Sequence, residues 1–342
     1  MSDNASGEEQ QQQMQEIYIC ADVWLEVFAF VSPLELGHLV ALISDRFDAL
    51  VDEHFKLRKW SLDWIEIRRA TDRNGAEIRK PTGVRLPIPQ GPIPNKVIGF
   101  KELWISYVDQ TVIEFLQRIR RLFDSSGTNV EINTWNYANR SWEIIRQKIW
   151  PFVNDNICGL FLCDSQCDRL RQLSPAILRN CGNLRSIHSY RHFPEFPAED
   201  NADASSRQAV ANWLLTARGD GLPKMFRDYF PTGMEGLKGS FVNASEPVNF
   251  FIRLYSPSGI EPFELKNTLG ERLTLRHFGK YDRLMLVRCP IVREEDQWAK
   301  WEEEAIEWEW FCQWNRIIIN IKDRDIGAGM IDENEGPSEP KK

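Results

Sequence analysis

At 342 residues, with 42% hydrophobic content and 13 Trp, the chain exceeds one typical domain and has ample material for a packed core. A net charge of −8 without a dominant basic block excludes broad nucleic-acid binding, which depends on clustered Lys and Arg. No run approaches the roughly 18 apolar residues of a membrane span, and the acidic, Gln-rich stretch 1–16 is no signal sequence but reads as a disordered tail. Seven cysteines, odd in number and mostly set in apolar runs, read as reduced thiols of a cytoplasmic or nuclear protein.

Residues 17–60 have a character of their own. Asp22 to Phe28 and Phe30 read as a short helix, with Val23 and Val27 on one face. Ser32-Pro33 breaks the chain and suits a helix start. A second helix carries Leu36, Leu39, Val40, Ile43 and Phe47 at spacings of three and four, and a third short segment holds Leu50, Val51, Phe55 and Leu57. Helices this short bury little surface alone, so their apolar excess has to be covered by the rest of the chain or by a partner.

The order of these residues resembles the F-box, the adaptor-binding motif of SCF-type ubiquitin ligases. Ile19-Cys20 stands where that family usually has Leu-Pro, and Asp22 to Phe28 follows its acidic and apolar run. Ser32-Pro33-Leu34-Glu35-Leu36 matches its turn into the second helix, and Ile43-Ser44-Asp45-Arg46-Phe47 resembles its Val-Cys-x-x-Phe/Trp stretch. The departure is Cys20 for Pro, which removes a preset backbone angle. The resemblance implies a three-helix unit that binds a Skp-type adaptor, itself carried by a cullin ligase. Ile19, Cys20, Val23, Trp24, Val27, Phe28, Leu34, Leu36, Leu39, Val40, Ile43 and Phe47 would make the contact.

Segment 61–99 reads as an extended piece at Trp64 to Ile67, a turn at Asn74-Gly75, and a Pro/Gly-rich connector from Pro81 to Gly99. From Phe100 a short apolar run and a helical pattern alternate. Taking Ile105, Ile132, Leu160 and Ile187 as equivalent, the runs recur at intervals of 27, 28 and 27 residues. Helical patterns lie between them, at Val112 to Leu122, Trp142 to Ile149 and Leu170 to Leu178. One strand and one helix per period predict an α/β fold, a leucine-rich-repeat-like solenoid over 100–330, with an ordinary α/β domain as the rival. Leu178 to Ile187, with Asn180, Cys181 and Asn183, resembles the cysteine-containing repeat common in F-box proteins.

The period then lapses. Ser205 to Leu215 reads as a helix and Pro247 to Tyr255 as a strand. Three alternating runs around Phe263, Arg272 and Arg283 predict antiparallel hairpins. Glu294 to Gln313 predicts a helix with Trp298, Trp301, Ala305, Trp308 and Cys312 along a core-facing stripe, and Asn315 to Ile321 a buried strand. Segment 331–342 is polar and reads as a disordered tail. Pro262 to Asn267, Arg288 to Ile291, Trp301 to Ala305 and Arg324 to Gly327 also resemble the large F-box families of plant-parasitic nematodes.

Catalytic chemistry finds little support. There is no Gly-x-Ser-x-Gly elbow, and His188 and His192 read as loop or capping residues near Cys163 and Cys167. Cys158, Cys163, Cys167 and Cys181 lack paired Cys-x-x-Cys knuckles, so no metal site is expected. Gly219 to Lys224 and Gly233 to Ser240 miss the phosphate-loop spacings, so no cofactor is expected. The expectation is a non-enzymatic substrate receptor. Its target, an unidentified protein, would meet the strand ends around Tyr107, Thr134, Asp164 and Tyr190. The alternative is a repeat scaffold with no ligase link.

Overall fold

The computed structural model describes residues 19–31, 35–57, 59–124, 127–173, 177–229, 232–255, 259–279, 283–327 and 329–330. The chain divides into two compact units, Met1–Lys59 and Trp60–Lys342. In the first, α1 (Ala21–Phe28) and α2 (Asp45–Leu57) are joined through a tight π turn at Leu36–Val40 and a 3-10 turn at Ala41–Ile43. Their core is small and aromatic. Phe28 is buried, with the rings of Trp24, Phe47 and His54 within 5.6–6.4 Å of it. Leu36, Val51 and Phe55 are the other buried apolar side chains described here, and Arg46 ties the start of α1 by donating to the Ile19 carbonyl at 2.5 Å.

The second unit is a mixed α/β structure built on one sheet. Among the described residues thirteen strands pair in the order β10-β11-β12-β9-β8-β7-β6-β5-β13-β4-β1-β2-β3. The middle is parallel: β1 (Trp60–Arg69), β4 (Val97–Ile105), β13 (Arg316–Ile319), β5 (Thr128–Ile132), β6 (Ile157–Cys163), β7 (Ser186–Tyr190), β8 (Lys224–Asp228) and β9 (Phe250–Tyr255). Each end closes with antiparallel strands, β2 (Ala76–Arg79) and β3 (Arg85–Pro87) at one, β12 (Arg283–Pro290), β11 (Glu271–His277) and β10 (Phe263–Lys266) at the other. Crossover helices include α3 (Gln110–Asp124), α4 (Asn139–Ile144), α5 (Trp150–Val153), α6 (Asp164–Leu173), α7 (Ile177–Asn180), α8 (Ser206–Leu215) and α9 (Met234–Val242). Ser205 starts α8 with a capping box shared with Gln208.

Side-chain alternation gives the sheet two unlike faces. One rung on the first face runs Ile65, Leu103, Ile317, Val130, Leu160, Ile187, Phe226, Ile252 and Leu286. All nine are buried, as expected of parallel strands covered on both sides. The second face mixes aromatic and charged groups: Trp104, Glu131, Phe161, His188, Arg227 and Arg253 share a rung. It is covered by a strap from α10 (Glu295–Glu307) through Glu309 and a 3-10 turn at Trp310–Cys312 into β13. Trp298 and Ala305 pack with Met225, Phe251, Met285 and Val287, and Trp310 is fully buried further along.

The structure departs from the sequence reading in three places. Val130, not Ile132, stands opposite Leu160, so the even spacing hides a two-residue shift that keeps the same face inward. Strands β5 to β9 do follow one another in chain order, but β13 separates β4 from β5, so the sheet is not laid down by a single uninterrupted repeat. The Trp-bearing helix ends at Glu307 instead of Gln313, because Arg253 Nη1 takes the carbonyls of Ala305 (3.2 Å) and Trp308 (2.5 Å), a cationic cap on the last turn. Cys312, expected on the buried stripe, is exposed. Segment 61–99 contributes three paired strands, β1 within the parallel middle.

Candidate functional site

Two surfaces carry unusual side chains. The first lies on the N-terminal unit, where Val23, Val27, Phe30, Leu39, Leu42 and Ile43 are exposed. Of the side chains that the F-box resemblance assigns to adaptor contact, Val23, Val27, Leu39, Ile43 and Cys20 are exposed, and Ile19, Trp24, Val40 and Phe47 are half-buried. Phe28 and Leu36 instead fill the unit's own core, since a pair of short helices has to bury something to hold together. Leu34 lies outside the described residues.

The second is the edge of the sheet at the carboxyl ends of the parallel strands, where open α/β sheets bind ligands. Tyr107, Thr134, Asp164 and Tyr190 all fall there, each at or just after the end of β4, β5, β6 or β7. Two of them are structural. Thr134 is buried, its hydroxyl accepting from Ile321 N (3.1 Å), which fixes the chain leaving β13. Tyr107 is buried under the Arg69 guanidinium at 4.6 Å; burial first and then Asp109 push its phenol up. The Asp164 side chain is outside the described set, and Tyr190 is half-exposed.

The same edge holds residues that periodicity alone does not reveal. After β5, Trp135 and Tyr137 stand exposed with rings 5.1 Å apart and inclined at 70°. At the end of β7, just after β8 and at the end of β9, the rings of Tyr190, Tyr229 and Tyr255 form a row at 5.9 and 5.1 Å. Arginine accompanies that row: Arg227, Arg253 and Arg283 lie 4.3–5.4 Å from the centre of the Tyr255 ring. The sequence signal was faint, since only Tyr255 directly follows an apolar residue, whereas Trp135, Tyr190 and Tyr229 follow Thr134, Ser189 and Asp228.

Behind the row lies a buried polar cluster. Arg227 and Arg253 both donate to Glu309 of the strap, the latter at 2.9 Å. Burial alone would raise the Glu309 carboxyl, but these two hydrogen-bonding guanidiniums bring it below its ordinary value. Trp310 Nε1 donates to Glu131 Oε2 at 2.8 Å, and its ring sits 5.6 Å from Phe161 and 6.3 Å from His188. His188 is buried among rings beside Arg227, and burial first, then that positive charge, hold its imidazole down to about 3. A histidine kept neutral this firmly is a packing element and not a proton shuttle near neutrality.

Other polar groupings have structural roles. The Ser189 hydroxyl donates to Asp228 Oδ2 at 2.7 Å, and the His192 backbone N–H donates to both at 3.1 Å; all three residues are buried. Lys224 Nζ donates to the carbonyls of Trp213 and Thr216, capping α8 beside a cavity of about 260 Å³. The described cysteines are unbridged, and burial pushes the Cys181 thiol up to about 12. Among the described residues no three His, Cys, Asp or Glu side chains converge as a metal site, and no helix is long and apolar enough to cross a membrane. No protein-family model, curated protein or solved structure matches the chain.

Proposed function

We propose that this chain is the substrate-recognition subunit of an SCF-type ubiquitin ligase. The observation that carries the reading is the N-terminal unit's exposed apolar patch at Val23, Val27, Phe30, Leu39, Leu42 and Ile43, four of them at F-box positions. So much apolar surface on so small a unit marks a protein interaction site, and the order of residues points to a helical Skp-type adaptor linked to a cullin. The second unit would hold the target protein at its carboxyl-end edge. Its chain-ordered parallel strands β5 to β9 support a leucine-rich-repeat-like origin for that region. Function is then proximity: a target lysine gains effective concentration near activated ubiquitin, and this chain supplies no bond-making group. Work of this kind belongs in the cytoplasm or nucleus.

The test is capture of the purified adaptor by the full chain and by a Val27→Asp, Leu39→Asp variant. Both positions face water, so the variant keeps its fold while carboxylates are forced into the interface, at several kcal/mol. Capture by the wild type and loss in the variant supports the receptor. Failure of the folded wild type to capture adaptor puts a scaffold without a ligase link first.

A further inference from the structure

We infer that the cleft between the loops after β5 and β13 binds an acidic peptide segment bearing a large apolar side chain. Calling that peptide the target rests on the receptor reading; the cleft and its chemistry do not.

A cavity of about 340 Å³ is lined by Trp135, Tyr137, Ala138, Lys322, Asp323 and Arg324, within the size range of ligand pockets. The Trp135 and Tyr137 rings, inclined at 70° and 53% and 71% exposed, form a corner for an apolar or aromatic side chain. The backbone beneath the corner is held in place: the Trp135 carbonyl accepts from Ala138 N (3.0 Å) and from the indole of Trp142 (3.1 Å). Aromatic side chains have few rotatable bonds and lose little freedom on binding, which is what makes aromatic anchors effective.

Charge selects the peptide. Lys322 and Arg324 are exposed, and the Asp323 carboxylate between them is already committed, accepting from Ser141 N (2.9 Å) and Ser141 Oγ (2.8 Å). Arg169 adds a further cation, donating to the Asn136 carbonyl and to Asn139 Oδ1 at 2.6 Å, and Arg140 in the first turn of α4 is exposed. The cleft therefore has a cationic rim on a chain of net charge −8. An acidic ligand is repelled by most of this molecule and drawn to this place, so the rim sets specificity and approach. Single-stranded nucleic acid also favours cations beside rings, but needs a basic groove that tracks several phosphates. A single compact cleft on an acidic chain fits a peptide better.

Fluorescence anisotropy with the full chain tests this. The probe is a labelled octapeptide with a central Leu-Phe pair flanked on each side by three Asp; controls are the same peptide with Asn for Asp, and a labelled oligouridine. The acidic peptide should bind, more weakly as salt rises. Lys322→Glu with Arg324→Glu, and separately Trp135→Ala, should each weaken it by roughly tenfold or more, with unchanged circular dichroism. A wild type that leaves the acidic peptide free overturns the inference, as do equal binding of the Asn peptide, variants that bind like wild type, or tighter binding of oligouridine. The Val27→Asp, Leu39→Asp variant should bind the peptide like the wild type. Peptide lost with adaptor capture kept defeats this inference alone; adaptor lost with peptide kept defeats the receptor reading alone.

Discussion

In the N-terminal unit large apolar side chains stand in water at Phe30, Leu42 and Ile43, whereas in the second unit even charged side chains are buried, Glu271 against Arg288 and Glu102 against Arg316. Size explains part of the contrast, since two short helices have too little interior for their apolar residues. The remainder is a difference in what each unit has to complete. The sheet satisfies its buried charges internally: Glu271 accepts from Arg288 Nη2 (2.6 Å), Val248 N (2.9 Å) and Asn267 Nδ2 (2.8 Å). The helical unit leaves its apolar groups unsatisfied, the condition of a surface made to be covered.

The contrast is broken most severely at the buried pair. Glu271→Gln leaves the Arg288 guanidinium without a counter-charge at 1% exposure, and should cost about 3–5 kcal/mol in denaturant unfolding of the sheet unit. A loss below about 1 kcal/mol would show that water reaches the pair. Next comes Leu36→Ala in the small core, expected to cost about 3 kcal/mol and to unfold the helical unit while the sheet keeps its own transition. A single shared transition would contradict the division into two units.

Acid sharpens the comparison, because His188 lies in the sheet unit alone. Its folded-state pKa is depressed to about 3 from 6.5, so its contribution is complete above pH 6.5 and declines as pH falls, the unfolded chain taking up the proton first. The decline should be about 1.4 kcal/mol per pH unit, or roughly 2 kcal/mol by pH 5. It should be missing from a His188→Gln variant; an unchanged acid slope there would remove His188 as the cause. The smallest stability change belongs to Val27→Asp, within about 0.5 kcal/mol by thermal unfolding because the side chain already faces water. A destabilisation of several kcal/mol at that position would mean it is covered within the chain itself.

What was legible in the sequence follows from how far each signal reaches along the chain. The alternating runs of β10, β11 and β12 and the helix from Ser205 to Leu215 are local signals, and both stand where the residues put them. The helix α9 was not legible: Gly236 and Gly239 lower its helical propensity, and its start rests on Gly233 at a left-handed φ of 79°. Strand β8 also escaped, since Lys224, Arg227 and Asp228 obscure an otherwise short apolar run and are buried only because partners elsewhere satisfy them. Asn315 to Ile321 is plainly a buried strand from its composition, yet nothing in it specifies β4 and β5 as neighbours. The ties to those neighbours are distant in the chain: Phe100 N of β4 donates to Asn315 Oδ1 (2.9 Å) and Asn129 Nδ2 of β5 to the Trp314 carbonyl (2.8 Å), across 215 and 185 positions. For the candidate site, Tyr107, Thr134 and Tyr190 all lie at the carboxyl-end edge of the sheet, but two of these are buried, and the exposed Trp135 and Tyr137 just beyond β5 were passed over.

The place of β13 has a consequence for biosynthesis. Strands β4 and β5 lie side by side in the sequence but cannot pair; each waits for Arg316 to Ile319, so the centre of the sheet stays open on the ribosome until the chain has been made through Ile319. At about 5–20 residues per second, the stretch from β5 to β13 leaves that gap for some ten seconds or more. During this interval two parallel edges rich in Ile and Val are bare, the kind of surface that invites chaperones or aggregation. A messenger cut short before codon 316 would yield a product that keeps its N-terminal helical unit and never closes its sheet.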